Sequence, residues 1–406
     1  MDAASVSKLL SPDGWALLNS LPPYDEKQAM ALATRLRAEG VDADLAAAAL
    51  TQSRLRAKAH AKLGDFADGM LFTPDGVEQA TRLVVAALHA RRYLAAGVTR
   101  VADLTSGIGA DALAFAGVGL RVLATDVDEV TAALATVNLR HFPEAEVRHG
   151  DGLALDLAAE GVDGVYADPA RRTRGGRRVF DPAAYAPPLD AVWALREQVP
   201  ALGIKVGPGI PHQGLPEDAE TQWVSVDGDV VEAGLWFGPL APDGPGRSAL
   251  VLATRGGATS SRTLRTDGGG ADLVPDVGPV GSYLYEPDGA VIRAGLVAHA
   301  AAELGGRLLD RTIAYVTTDQ PAAPAPGVAP VATGYRVLDV MPFNLKRLKA
   351  YLRERGVGRL TIKKRGTAVT PEQLRSQLAP KGDAEATLVL TRIGGAQHVL
   401  VVEPLR

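Results

Sequence analysis

Val101-Ala102-Asp103-Leu104-Thr105-Ser106-Gly107-Ile108-Gly109-Ala110-Asp111-Ala112 is the stretch whose reading decides the fold. An apolar run over residues 98–104 leads into two glycines, and residues 110–116 then have helical composition. Residues 120–126, Leu-Arg-Val-Leu-Ala-Thr-Asp, read as a second strand that closes on a carboxylate. A strand, a glycine turn, a helix and a strand ending in Asp is how a nucleoside-type cofactor is held. The glycines let the backbone approach the ligand, and the distal acid accepts hydrogen bonds from ribose hydroxyls. Asp126 follows Asp103 by 23 residues, near the expected spacing of about 20.

Outward from this stretch, strands and helices alternate. Helix 129–140, strand 146–149, a helix-like segment 154–158, strand 162–167, a helix around 187–198 and strand 201–206 follow in turn. Such alternation predicts a parallel sheet covered on both faces, with ligands beyond the carboxyl ends of its strands. Asp103, Asp126, Asp151 and Asp168 all fall at or just after predicted strand ends. That coincidence is the main functional signal in the chain.

Upstream, residues 1–70 are expected to form a small helical cap. Asp25 is placed to cap a helix over 26–39, and a second, Ala-rich helix covers 44–62. Leu71-Phe72-Thr73-Pro74-Asp75 breaks the pattern, and 76–92 reads as one helix entering the strand at 98. Phe72 could line the edge of a cofactor pocket or simply pack. Downstream, residues 222–226, 230–237 and 249–254 are strand-like and joined by turns such as Asp227-Gly228, which suits an antiparallel edge to the sheet. Residues 256–281 read as a loop, 295–304 as a helix and 322–330 as a Pro/Ala linker. The last segment is expected as an α+β module: strand 336–340, basic helix 344–355, strand 358–364, and a helix from Pro371 capped by Thr370. Strands 386–393 and 397–403 then pair through Gly394-Gly395. The predicted domains are therefore 1–70, 71–255, 256–332 and 333–406.

Composition narrows the chemistry. The 406 residues are 47% hydrophobic, enough for two or three cored domains, and no apolar run is long enough for a membrane helix. Residues 1–21 lack a basic region followed by an apolar one, so no secretion signal is expected and a cytoplasmic protein fits. The absence of cysteine excludes disulfides, thiolate zinc sites and cysteine nucleophiles, and with them the usual covalent route to pyrimidine C5 and iron–sulfur radical chemistry. The seven histidines are scattered, so no protein-held metal is expected. Net charge is −4, yet residues 333–406 hold 14 Lys or Arg against 6 Asp or Glu. A basic module for a polyanion joined to an acidic body accounts for this, although a basic surface also keeps a small domain soluble.

Gly107-Ile108-Gly109-Ala110-Asp111-Ala112 formally fits G-x-G-x-x-A, a nicotinamide-cofactor fingerprint. Asp111 in the first helical turn and Asp103 at the strand end oppose a pyrophosphate there. A cationic ligand prefers that rim, and S-adenosylmethionine carries a sulfonium and an ammonium but no phosphate. The ordered set Asp103 to Asp111, Asp126-Val127-Asp128, Gly150-Asp151 and Asp168-Pro169-Ala170-Arg171 resembles the motifs of class I S-adenosylmethionine-dependent methyltransferases. In particular the chain is similar to bacterial members with a helical N-terminal region and a C-terminal THUMP-like domain, and more distantly to the trimethylguanosine synthase type. The resemblance spans about residues 72–237, with the THUMP-like part from about Thr333. It implies a Rossmann-like methyltransferase sheet with Asp103 and Gly107 facing the methionine part. Thr105, Ser106 and Gly109 would lie in the same loop. Asp126, with Val127 beside it, would take the ribose, and Asp151 with Gly152 would lie near the adenine amine. Each of these acids also has a plainer reading as a loop cap.

Asp168-Pro169-Ala170-Arg171 sits where amino-directed methyltransferases carry Asp/Asn-Pro-Pro-aromatic, whose acid and following carbonyl orient an exocyclic amine. Here Ala170 replaces the second proline and Arg171 the aromatic, though an arginine plane also stacks on bases or binds phosphate. Arg171, Arg172, Arg174, Arg177 and Arg178 make a basic loop beside the expected site, and Lys346, Arg347, Lys349, Arg353, Lys363, Lys364 and Arg365 extend the positive surface. The expectation is a methyltransferase acting on a base nitrogen in structured RNA, rRNA or tRNA. The rivals are a non-catalytic RNA-binding protein of the same fold, a methyltransferase for a protein or small molecule, and a dehydrogenase.

Overall fold

The computed structural model describes residues 3–171, 184–266, 273–322 and 327–405. The chain divides into two compact units, Met1–Val206 with Leu235–Asp243, and Gly207–Gly234 with Gly244–Arg406.

The first unit opens with four helices: α1 (Ala3–Leu10), α2 (Pro12–Ser20), α3 (Ala29–Ala38) and α4 (Ala43–Leu63). Ser11 and Asp42 cap α2 and α4 by accepting the Gly14 and Leu45 N–H groups. Asp25 does not cap the next helix as expected. Its carboxylate accepts from the Lys27 N–H and the Gln28 amide, and α3 starts only at Ala29. After α4, residues 70–72 run extended and buried with no strand partner, so side chains complete their backbone bonds. The Gln52 amide accepts from the Phe72 N–H and donates to the Phe72 carbonyl, and Asn138 does the same for Leu71. The four-helix segment is thereby fastened to the unit, with Val6, Leu9, Leu18 and Ala49 sharing a core with Leu71 and Leu134.

The helix expected over 76–92 is two helices, α5 (Pro74–Gln79) and α6 (Leu83–Ala95). The break at Ala80-Thr81-Arg82 has no Gly or Pro to announce it; Ala80 simply leaves the helical region at φ −51°, ψ 132°. Then come β1 (Arg100–Asp103), α7 (Ala110–Gly117), β2 (Arg121–Asp126), α8 (Glu129–Asn138), β3 (Ala145–His149), β4 (Gly164–Ala167), the short β5 (Ala170–Arg171) and β6 (Tyr185–Ala186), α9 (Leu189–Ala194) and β7 (Leu202–Val206). The helix expected over 154–158 is instead a 3-10 turn, Gly152–Ala154. Strands β7-β4-β1-β2-β3 lie in that order and pair in parallel. Chain order reverses at β1, which has β2 on one side and β4 on the other, and a crevice opens beyond the strand ends at such a point. Register brings Asp103 opposite both Ala124 and Tyr166, so the ends of β1, β2 and β4 are level.

The second unit contains β8 (Glu220–Val226), most of β9 (Asp229–Trp236), β10 (Gly246–Arg255) and β11 (Ala258–Arg265), in the order β11-β10-β8-β9. The expected all-antiparallel edge is corrected here, because β8 and β10 are parallel. A tight Asp227-Gly228 turn does join β8 to β9, but β10 lands on the far side of β8, and that crossover makes it parallel. β11 lies in the segment expected to be a loop; Leu264 is its one buried side chain and the rest are exposed or half-buried, so no apolar run betrays it.

The remainder is β12 (Tyr283–Pro287), α10 (Gly289–Arg293), α11 (Val297–Glu303), β13 (Arg307–Asp310), β14 (Ile313–Thr318), β15 (Ala332–Pro342), α12 (Leu345–Glu354), β16 (Val357–Lys364), α13 (Pro371–Leu378), β17 (Ala384–Ile393) and β18 (Ala396–Pro404). They build a seven-stranded sheet, β13-β14-β12-β15-β18-β17-β16. Residues 256–332 are thus not a mere connection, since β12 pairs with β15 along Tyr283–Pro287. The expected α+β module appears with its details: Asn344 caps α12, Thr370 and Gln373 form a reciprocal capping box on α13, and Gly394-Gly395 turns β17 into β18. Among the described residues no helix is long and apolar enough to cross a membrane.

Candidate active site

A cavity of about 410 Å³ opens at the ends of β1, β2 and β4, within the size range of small-molecule sites. The quoted stretch makes its floor. Gly107 and Gly109 both take positive φ, +53° and +86°, which a side chain would strain. Three bonds sew this turn to β2: Ser106 N–H to the Thr125 carbonyl at 2.9 Å, Gly107 N–H to Asp126 Oδ2 at 3.0 Å, and Thr125 Oγ1 to the Asp103 carbonyl at 3.3 Å. Asp126 also accepts the Asp128 N–H through Oδ1 at 2.9 Å, so its carboxylate holds the turn before any ligand arrives.

Asp103 is 1% exposed. Its Oδ2, like Ser106 Oγ, is buried without a hydrogen-bond partner among the described residues. Burial, then the neighbouring Asp111 carboxylate, pushes the Asp103 carboxyl well above the usual range. Asp111 behaves in the opposite way. Its Oδ2 accepts from Thr81 Oγ1 at 2.6 Å and its Oδ1 lies 3.0 Å from His89 Nδ1; despite burial, the His89 bond and the Lys205 charge hold its carboxyl below the ordinary value.

Of the expected cofactor residues, Asp103, Thr105, Ser106, Gly107, Asp126, Val127 and Asp151 line this cavity. Asp151 is also a cap, its Oδ1 accepting the Leu153 N–H at 3.0 Å. Three others do not line it. Phe72 is wholly buried in the hydrophobic core, because the Gln52 bonds fix its backbone there. Gly109 faces α8, with a Cβ there meeting Leu139 and Ala135 at 3.5–3.6 Å. Gly152 packs against the end of β1, where a Cβ would stand 2.6 Å from the Leu104 carbonyl oxygen. They support the walls and do not form them.

Of the Asp168-Pro169-Ala170-Arg171 motif, Asp168 and Ala170 line the cavity and Pro169 does not. The Asp168 N–H donates to Thr105 Oγ1 at 2.6 Å, tying the motif to the glycine turn. Ala170 and Arg171 pair as β5 with Ala186 and Tyr185 of β6, and this ribbon carries Pro187 and Pro188 to the cavity wall. Arg172, Arg174, Arg177 and Arg178 lie outside the described residues, as does the Arg171 side chain.

Lys205 and Thr81 were absent from the sequence reading. Lys205 Nζ lies 2.6 Å from Asp168 Oδ2 and donates to Thr81 Oγ1 at 2.7 Å. Lys205 is the penultimate residue of the buried strand β7, where a lone charge in an apolar run is a usable signal. Thr81 sits at the unannounced helix break and carries none. Among the described residues no group of three or more His, Asp or Glu is placed to hold a metal.

Relatives in two strains of Mycobacterium tuberculosis, CDC 1551 / Oshkosh and ATCC 25618 / H37Rv, are 34% identical over 351 residues, spanning 84% of this chain and 91% of theirs. Both carry the name uncharacterized S-adenosylmethionine-dependent methyltransferase. A crystal structure from Porphyromonas gingivalis W83, assigned as a methyltransferase, shares the fold at TM-score 0.73 with 22% identity, over 95% of this chain and all of that one. A family described as THUMP domain-like matches residues 332–404, and a domain of unknown function matches residues 2–59.

Proposed function

The chain belongs to the S-adenosylmethionine-dependent methyltransferases and its cofactor is S-adenosylmethionine; from that premise we propose that it methylates an amino nitrogen of a base in structured RNA, rRNA or tRNA. The formal dinucleotide fingerprint is thereby set aside: five aspartates, Asp103, Asp111, Asp126, Asp151 and Asp168, line the cavity, and Asp126 and Asp151 have no ion-pair partner among the described residues to offset their repulsion of a pyrophosphate.

The donor set fits the cofactor. A buried carboxylate oxygen without a partner is costly, and the methionine ammonium would supply the partner that Asp103 Oδ2 lacks. Asp126 would accept the ribose hydroxyls, Val127 would lie against the ring system, and Asp151 would stand near the adenine amine. Thr105, Ser106 and Gly107 would shape the methionine end. When bound, S-adenosylmethionine would supply a sulfonium methyl for the acceptor nitrogen, with S-adenosylhomocysteine as the leaving product and the nitrogen's proton passing to solvent. Asp168 would accept an N–H of the acceptor amine and so aim its nitrogen; catalysis would be orientation more than acid–base chemistry. Ala170, Pro187 and Pro188 would offer a flat ring an apolar wall in place of the missing aromatic.

Burial raises the Asp103 carboxyl and an ammonium beside it would lower it again, so over the pH range between the two values cofactor binding should release up to one proton and tighten as pH rises. Calorimetry of S-adenosylhomocysteine binding in buffers of different ionisation enthalpy measures this; zero proton release across the acid range overturns the pairing. The unliganded fold has the opposite dependence. A carboxyl raised in the folded state contributes stability in acid, and loses it as pH climbs from the unfolded value of about 4 through the folded one.

The observation that carries the RNA reading is the face of α12. Lys346, Arg347, Lys349 and Arg353 are exposed, with no ion-pair partner among the described residues, while Leu348 and Leu352 are buried on the other face. The expected contribution of Lys363 and Arg365 is reduced, because both pair with Glu286 at 2.7 and 3.1 Å. Replacing Lys346, Arg347 and Lys349 by serine should weaken binding to total cellular RNA at least tenfold and flatten its salt dependence by about one unit per lost phosphate contact. Binding indifferent to salt sinks the reading. Removing 333–406 outright would be a poorer test, since it strips β12 of its β15 partner. The acceptor is tested by comparing modified nucleosides in RNA from cells with and without the gene; label from S-adenosylmethionine entering protein or small molecules instead overturns it.

A further inference from the structure

Behind the acceptor end of the cavity stands an ordered chain of polar groups. The Lys205 side chain is 11% exposed and Asp168's 32%. The Lys205 ammonium lies 2.6 Å from Asp168 Oδ2 and donates to Thr81 Oγ1; the Thr81 hydroxyl donates in turn to Asp111 Oδ2, whose other oxygen meets His89. His89 is itself buried, 5.3 Å from the Trp236 ring and 5.6 Å from that of Tyr166. The ammonium is thereby held between the Asp168 carboxylate and the Thr81 hydroxyl. Lys205 does not line the cavity; Asp168 and Thr81 do. A cation thus stands behind the Asp168 carboxylate, which lines the cavity.

We propose that Lys205 is a specificity-determining residue, pairing in advance with Asp168 so that the acceptor end takes the neutral amino group of a heterocycle and turns away a protonated alkylamine such as a lysine side chain. The inference rests on the reading that Asp168 faces the transferring methyl. A carboxylate without a counter-ion would draw an alkylammonium and hold it protonated, with no lone pair to attack. One already matched by an ammonium at contact distance has little net field to offer a second cation, yet its oxygens still accept hydrogen bonds from an uncharged amine. As a positioning residue, Lys205 acts on the substrate through Asp168.

The probe is sinefungin, an adenosyl analogue with a protonated amine in place of the sulfonium methyl, compared with S-adenosylhomocysteine, which has neither. The full-length protein is titrated with each, and the ratio of their affinities reports the field at the methyl position without any acceptor. In the unaltered protein the ratio should stay within about threefold of one. In Lys205→Met it should rise about tenfold, because Asp168 then loses the ammonium at contact distance. Lys205→Arg should keep the original ratio, and Asp168→Asn should drive it below one, since the Lys205 ammonium then stands behind the amine without the carboxylate charge between them. If Lys205→Met does not fold, the Asp168→Asn arm decides: a ratio that stays at or above one means no cation stands there, and overturns the proposal. A ratio that moves in Asp168→Asn but not in Lys205→Met overturns the role of Lys205 alone. A ratio that moves in neither puts Asp168 away from the methyl, and fails the reading beneath it.

Discussion

Asp126→Ala should weaken S-adenosylhomocysteine binding by a factor of about 10² to 10⁴. Two charge-assisted hydrogen bonds to ribose hydroxyls are each worth about 1.5–3 kcal/mol, and each 1.4 kcal/mol is about tenfold in affinity. The structure adds a second source of loss. The same carboxylate accepts the Gly107 and Asp128 N–H groups, so alanine also frees the glycine turn that forms the cavity floor. Asp126→Asn keeps one acceptor oxygen and should cost about tenfold, between the two extremes. Calorimetry measures both variants, with circular dichroism confirming that the fold persists. An alanine variant that binds within threefold of the parent removes Asp126 from the cofactor site.

Asp168→Ala should leave S-adenosylhomocysteine affinity within about threefold and lower methyl incorporation by about 10²-fold or more, the scale of a misplaced reacting group. The separation is expected because the turn does not depend on the Asp168 side chain. Its backbone N–H is held by Thr105 Oγ1, and the ribbon of β5 and β6 fixes the residues that follow. Incorporation is followed with methyl-labelled S-adenosylmethionine, using RNA from cells lacking the gene. Normal incorporation would remove Asp168 from the acceptor end. Loss of cofactor affinity together with incorporation would make it a structural prop for the cavity.

The sheet that carries the site was legible because its strands are short apolar runs, each ending in a turn and an acid. β4 is buried throughout and β2 in all but its end residues, so composition alone marks them. Asp103, Asp126 and Asp168 then follow from one rule about strand ends. Phe72 misled because an aromatic before a loop looks the same whether it lines a pocket or fills a core; the Gln52 amide, 20 residues away, decides. β11, β12, β13 and β14 escaped because strands of four to eight residues with mixed burial leave no clean period. The parallel pairing of β8 with β10 depends on where the chain lands, and the local turn does not record that.

The sequence by itself determined the α/β class, the glycine turn, the acids at the strand ends, the hairpin at Gly394-Gly395 and the capped helices of the last module. All of these rest on contacts between residues close in the chain, or on a backbone conformation only certain residues accept. Only the tertiary structure decided that Thr81, His89, Asp111, Asp168 and Lys205 form one connected set, with 124 positions separating Lys205 from Thr81. It also decided which basic residues remain available on α12 and which are already matched by Glu286. Charge pairing depends on distances in space, and no local pattern encodes them.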